Sequence, residues 1–264
     1  MMRSTLANNS RVRRSIITLA GIIALVLAWT GVAAGQHEYI LPSPLSAATA
    51  ALTVLTKPDF WLALGDTTLR AGMGLCIALV LGACWGTAIG RWPSVEAFCQ
   101  PAIQILLATP AVVFVVLALV WFGSTSQAVI MVVTLVATPL MVKTTAGAVR
   151  NIDPTLNEMG QVFGLSWFDR VRTILIPLVL PPFIASATVA MGQSLRVAVM
   201  AELLTTASGL GGAIRLAQIN LETPKVFAYA LILTSVALML EKLITGPLQS
   251  RTTVQPRQGE ATTP

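Results

Sequence analysis

Residues 153–177 read DPTLNEMGQVFGLSWFDRVRTILIP. Asp153 is a good helix N-cap, and Pro154 takes the first helical position, where its missing N–H leaves nothing unpaired. Leu156, Met159 and Phe163, with Val162 beside them, form an apolar stripe at helical spacing before Gly164 supplies a stop. Ser166 can cap a second helix, with Asp169 three residues on in a variant of the capping box, and Arg170 and Arg172 follow on the way to Pro177. The spacing predicts helix, turn, helix. A short amphipathic helix held by a glycine has an apolar face that nothing of its own covers, so it calls for a partner.

Outward from this stretch the chain is strongly apolar. Its 264 residues are 55% hydrophobic and 11% charged, with a mean hydropathy of +0.78, where a soluble domain carries about 25% charged residues. Such a chain cannot cover a water-facing surface. Six apolar segments are expected to cross a membrane as helices: Ser15 to Ala34, Leu69 to Gly90, Ile103 to Phe122, Ala128 to Ala148, Ile174 to Met200 and Val226 to Ile244. The first could be a secretory signal, but it exceeds the usual ~7 to 15 residue apolar region, so a retained helix is expected. The long polar interruption between the fourth and fifth spans, residues 149–173, holds most of residues 153–177.

An even number of spans puts both termini on one side, and Arg3, Arg11, Arg13 and Arg14 ahead of the first span place that side in the cytoplasm. The cytoplasmic flanks then also hold Arg91, Lys143, Arg150, Arg170, Arg172, Lys242, Arg251 and Arg257, twelve of the 17 basic residues in all. Lys57, Arg70, Arg196, Arg215 and Lys225 remain. This bias explains the formal charge of +6 without a nucleic-acid partner. Residues 1–62 are read as the first span plus a linker with Leu41-Pro42-Ser43-Pro44 and an outer surface helix from Leu45 to Thr56, residues 63–247 as the main helical domain, and residues 248–264 as a disordered cytoplasmic tail.

Several chemistries lack carriers. His37 is the only histidine, which leaves no Ser-His-Asp triad and no H-E-x-x-H zinc site. Cys76, Cys84 and Cys99 are read as unpaired, and no C-x-x-C occurs. A phosphate-cradling G-x-x-x-x-G-K-[ST] loop is missing too, so ATP would be used by another polypeptide.

Glu158-Met159-Gly160, then Gly164, then Ile174, Ile176 and Pro177 resemble the EAA motif of ABC importer permeases, E-A-A-x-x-x-G, nine variable residues, I-x-L-P. Spacing matches without a gap, with Met159 and Gly160 in place of the two alanines. Leu41-Pro42-Ser43-Pro44, Pro110 with Trp121-Phe122-Gly123, and Ala201-Glu202 with Gly209-Leu210-Gly211 resemble the nitrate, sulfonate and taurine branch. The resemblance covers residues 40 to 250, most of the chain. It implies an all-α, six-span type I importer domain in the bacterial inner membrane, with a coupling helix at about 154–168. It further implies two ATPase subunits that carry ATP and magnesium, a second permease copy and an external substrate-binding protein. Glu158, Met159, Gly160, Phe163, Gly164 and Pro177 would then form the ATPase-docking segment.

For a small anion such as a sulfonate, taurine or nitrate, the pathway candidates are Gln104, Thr109, Gln193, Arg196 and Glu202, because intramembrane polar and charged groups are costly unless used. Arg196 could instead pair with Glu202 or snorkel, and Asp66 with Arg70 reads as a helix-surface ion pair. A secondary transporter or a membrane scaffold is the alternative. The first predicts an internal repeat and midplane acids; the second leaves the loop spacing unexplained.

Overall fold

The structure is a computed structural model that describes the backbone of residues 2–206 and 208–252 and the side chains of residues 16–156, 158–206 and 208–239. Those residues form helices and connecting turns, with no strand among them. The order is α1 (Met2–Ala33), α2 (Pro44–Leu55), α3 (Pro58–Arg91), α4 (Pro93–Ala108), α5 (Ala111–Phe122), α6 (Ser126–Arg150), α7 (Pro154–Val162) and α8 (Trp167–Arg170). A π-helical turn, Val171–Leu175, leads into α9 (Ile176–Thr205), followed by α10 (Gly209–Ile219) and α11 (Thr223–Thr252). Four described stretches are long and apolar enough to cross a membrane, in α1, α3, α6 and α8 through α9, and a fifth is gained if α4 and α5 count as one. The described apolar run of α11, Thr223–Met239, is shorter.

The segment expected as a third straight span is broken, and α4 and α5 meet at 98°. Pro110 is the cause: it has no N–H to continue the helix, and its ring drives the preceding Thr109 out of the helical region to ψ 124°. The break before α9 has a related origin. Pro177 cannot donate to the carbonyl four residues back, and the wider π turn bonds the N–H of Ile176 to the carbonyl of Val171 instead.

The chain falls into two compact units, Met1–Trp61 with Ile214–Ile232, and Leu62–Ala213 with Leu233–Pro264. In the first unit Trp29 donates from Nε1 to the carbonyl of Pro42 at 3.1 Å, and its ring lies 5.7 Å from that of Phe227. Thr223 donates its hydroxyl to the carbonyl of Tyr39 at 2.6 Å. Ser43 caps α2, accepting from the N–H of Ser46 at 3.1 Å, so the Pro-Ser-Pro segment is a helix start rather than a free extended link.

The second unit is built around α6. Five small residues of α3 recur every fourth position, Gly74, Ala78, Gly82, Gly86 and Gly90, and α6 answers in the same period with Val133, Ala137, Met141, Thr145 and Val149. A Cβ built on Gly82 would lie 2.3 Å from Cβ of Met141, and one on Gly86 2.5 Å from Cβ of Thr145. Only glycine permits this approach, which is how helices gain contact where lipid supplies no hydrophobic drive. Leu195, Ala198 and Ala201 of α9 join Val129, Val132 and Val133 of α6 in the same buried cluster, with Phe114 and Val115 of α5 and Ala237 of α11. Helix α11 continues into the segment expected as a tail; residues 253–264, and the side chains of the four N-terminal arginines, lie outside the described residues.

Candidate functional site

Two constructions lie at opposite ends of α6. Beyond its C-terminal end, α7 starts on Asp153, whose carboxylate accepts the N–H of Thr155 at 2.9 Å. The Thr155 hydroxyl and this N–H hold the Asp153 carboxyl below the usual carboxylate range, so the cap is charged at neutral pH. Helix α7 ends in a Schellman motif: Leu165 donates to the carbonyl of Gly160 at 2.9 Å and Gly164 to that of Gln161 at 3.0 Å. Gly164 has φ +68°, a conformation that strains any residue with a Cβ. The turn brings α8 back along α7, and Gly160 is buried where a Cβ would press on Cγ and Cδ of Arg170 at 3.2 Å. That close approach explains a small residue at this place. Ser166 caps α8, its hydroxyl donating to Asp169 at 2.6 Å and accepting the Asp169 N–H at 3.2 Å.

What this loop leaves uncovered is apolar. Met159, Val162, Phe163, Trp167 and Phe168 are 54 to 85% exposed, and Glu158 stands in solvent among them.

At the N-terminal end of α6, a buried ionic knot joins α3, α6, α9 and the start of α10. Glu202 is fully enclosed and Arg70 nearly so. Nη1 of Arg70 donates to Oε1 of Glu202 at 2.6 Å; Oε2 accepts the Thr67 hydroxyl at 2.7 Å and the N–H of Gly211 at 3.1 Å. The same guanidinium reaches Ser126 at 3.0 Å through Nε and the Ser208 hydroxyl at 2.7 Å through Nη2. Asp66 stands farther off at 3.8 Å. Each guanidinium nitrogen and each carboxylate oxygen of this costly buried pair thereby has a hydrogen-bond partner. Gly209 has φ +83°, and a Cβ there would fall 2.3 Å from Oε1 of Glu202.

The expected surface pair of Asp66 and Arg70 is thus mainly a buried bond from Arg70 to Glu202, and Glu202 does not pair with Arg196. The sequence hides this role of Arg70 because its partner is 132 residues away; the one signal is that two opposite charges in apolar stretches need each other. Among the other pathway candidates, Gln193 and Arg196 are exposed on α9, and Arg196 has no ion pair among the described residues. Gln104 lines a cavity of about 270 Å³ with Gln100 and Lys143, beside the 2.8 Å pair of Arg150 and Glu96. Thr109 returns its hydroxyl to the carbonyl of Ile105 at 2.7 Å and helps close α4.

Residues 74–245 match the family described as binding-protein-dependent transport system inner membrane component. The chain belongs to that family. This inner membrane component is 26% identical over 237 residues to the taurine transport system permease protein TauC of Escherichia coli, covering 87% of this chain and 86% of the relative. It is 25% identical over 211 residues to the nitrate import permease protein NrtB of Leptolyngbya laminosa, covering 76% and 74%. In fold it is similar to a bacterial ABC transporter involved in the import of the acidic polysaccharide alginate, with a TM-score of 0.66 at 15% identity over 92% of this chain and 98% of that one. A second alginate transporter structure, in complex with an alginate pentasaccharide-bound periplasmic protein, gives a TM-score of 0.60 at 16% identity over 76% and 82%. The chain is an ABC importer permease of the nitrate, sulfonate and taurine branch, and its work is transport, not catalysis. It acts in the inner membrane with the other components of such an importer.

Proposed function

We propose that this permease forms half of the translocation path for a small anion and that α7 is the coupling helix through which a separate ATPase drives it. The carrying observation is the face of α7 and its turn: Met159, Val162 and Phe163 lie exposed beside Glu158 on a helix held rigidly by the Asp153 cap and the Gly164 turn. Exposed apolar side chains on a fixed short helix fit a groove on a partner, and Glu158 would add a charged hydrogen bond there. Met159, Gly160, Phe163, Gly164 and Pro177 complete the docking segment. ATP and magnesium belong to the ATPase, two copies of which close and tip two permease copies between inward-open and outward-open forms. A binding protein outside delivers the solute.

In this reading the chain crosses the membrane six times. The bent α4 and α5 supply one crossing and α11 another, and both termini face the cytoplasm. The domain division at residues 63–247 and the tail from 248 follow the same plan. Relatives named for taurine and nitrate support a solute that carries an anionic group. Arg196, exposed on α9 and free of any ion pair among the described residues, is the side chain assigned to meet it, with Gln104, Thr109 and Gln193 as neutral lining. Glu202 contributes by holding the outer end of the bundle.

Co-purification and transport in proteoliposomes test the coupling role. Glu158→Ala and Gly164→Ala should leave the chain in the membrane yet weaken ATPase capture or separate ATP hydrolysis from uptake. Normal capture and uptake in both variants would end the proposal. Arg196→Gln should lower uptake of the anion severalfold while ATPase capture stays intact.

A further inference from the structure

A cavity of about 390 Å³ opens where the ends of α3 and α6 meet the start of α4 and the α8 region. Its lining includes Arg91, Arg150 and Arg170, with Trp92 and Trp167 and the apolar Ile174. Arg91 is the last residue of α3 and Arg150 the last of α6, the two long apolar helices of the seam. Arg150 shares its charge with Glu96 at 2.8 Å, but Arg91 and Arg170 have no ion pair among the described residues. Nε of Arg170 is buried with no hydrogen-bond partner. The stem of Arg170 packs on Gly160, where a Cβ would lie 3.2 Å from its Cγ and Cδ. An unmatched buried N–H on a cation is costly unless an acceptor arrives from outside the chain.

We propose that this cavity binds a phosphate group, and that the group is the headgroup of an anionic phospholipid. Guanidinium forks match phosphate oxygens two at a time. Two tryptophans at the ends of membrane-length helices mark the headgroup level, and an apolar wall beside the arginines receives the start of an acyl chain. Basic pockets between such helices on the cytoplasmic side take anionic headgroups. Pro154 and Trp167 of the coupling segment line the cavity, but Leu156, Met159, Val162 and Phe163 do not, so the side chains assigned to the ATPase groove lie outside it. The inference rests on the inward placing of the α7 loop in the reading above, and lipid preference tests it where ATPase capture does not.

Native mass spectrometry of the assembled importer, offered phosphatidylglycerol, phosphatidylcholine or inorganic phosphate, is the test. The unaltered complex should retain phosphatidylglycerol in preference to phosphatidylcholine. Arg91→Gln and Arg170→Gln should each reduce that preference about fivefold, the ~1 kcal/mol that a basic residue contributes beside an anionic membrane surface. Equal retention of both lipids by the unaltered complex would overturn the inference, and that comparison needs no variant to fold. Unchanged preference in the double variant would overturn it as well. Displacement of phosphatidylglycerol by inorganic phosphate would give the site to a soluble phosphate instead. Retention only after the ATPase is stripped away would give the surface to that subunit.

Discussion

Arg70 and Glu202 are buried together, and that placement makes their mutual removal less harmful than the removal of either. Arg70→Met leaves a carboxylate enclosed with two neutral donors and should cost about 3–5 kcal/mol, whereas changing both partners to methionine should recover much of that loss. Thermal unfolding of the detergent-solubilised protein decides it; a double variant no better than Arg70→Met would show that the pair stabilises far more than it costs to bury. Gly209→Ala strikes the same knot through the backbone, combining a strained φ with a contact on Oε1 of Glu202, and should lower the melting temperature without touching a charge. Sequence reading finds Glu202 but not its partner. Side-chain chemistry announces that a buried charge needs an opposite one, while the choice of Arg70 depends on how α3 and α9 come to lie, and no local pattern records that.

Helix-scale features were legible in proportion to how local their causes are. The Asp153 cap, Pro154, Gly164 and Ser166 act within four or five residues, and the structure places a helix, turn and helix there. Thr109 and Pro110 are equally local, yet the surrounding apolar run masked the break: hydropathy registers length and is blind to a missing N–H. The small residues at every fourth position from Gly74 to Gly90 went unread in the sequence, because only the answering series in α6 shows what they are for. Gly82→Leu should therefore force the helices apart, costing about 1–3 kcal/mol by overpacking. Gly72→Leu, where a Cβ meets nothing within 4 Å, is the control on the same helix. Fluorescence-detected gel filtration after heating separates them, and equal loss in both would dismiss the seam as the reason for glycine.

At the scale of the whole molecule, orientation rests on charge placed asymmetrically along the chain. A reporter that matures only in the cytoplasm, fused after Pro264, should be active, and a cysteine-directed reagent that cannot cross the membrane should label Trp167→Cys from inside and Tyr39→Cys from outside. Labelling of both from one side would reverse the assignment of the α7 loop. Such asymmetry lies in where the basic residues fall along the chain, so the expected orientation can be stated without coordinates. The proposed pairing with a second copy is not written there, since one chain's exposed faces look alike whether they meet lipid or a twin.

The seam also has a mechanical meaning. Because both helices repeat every four positions, sliding one past the other by a single turn would again bring one series opposite the other. Ala78 forbids it: by the same period it faces Ala137, whereas a one-turn slide either way would drive Met141 or Val133 into its methyl group. One methyl group thus acts as a key in a keyway, fixing α3 and α6 in one register as a single strut.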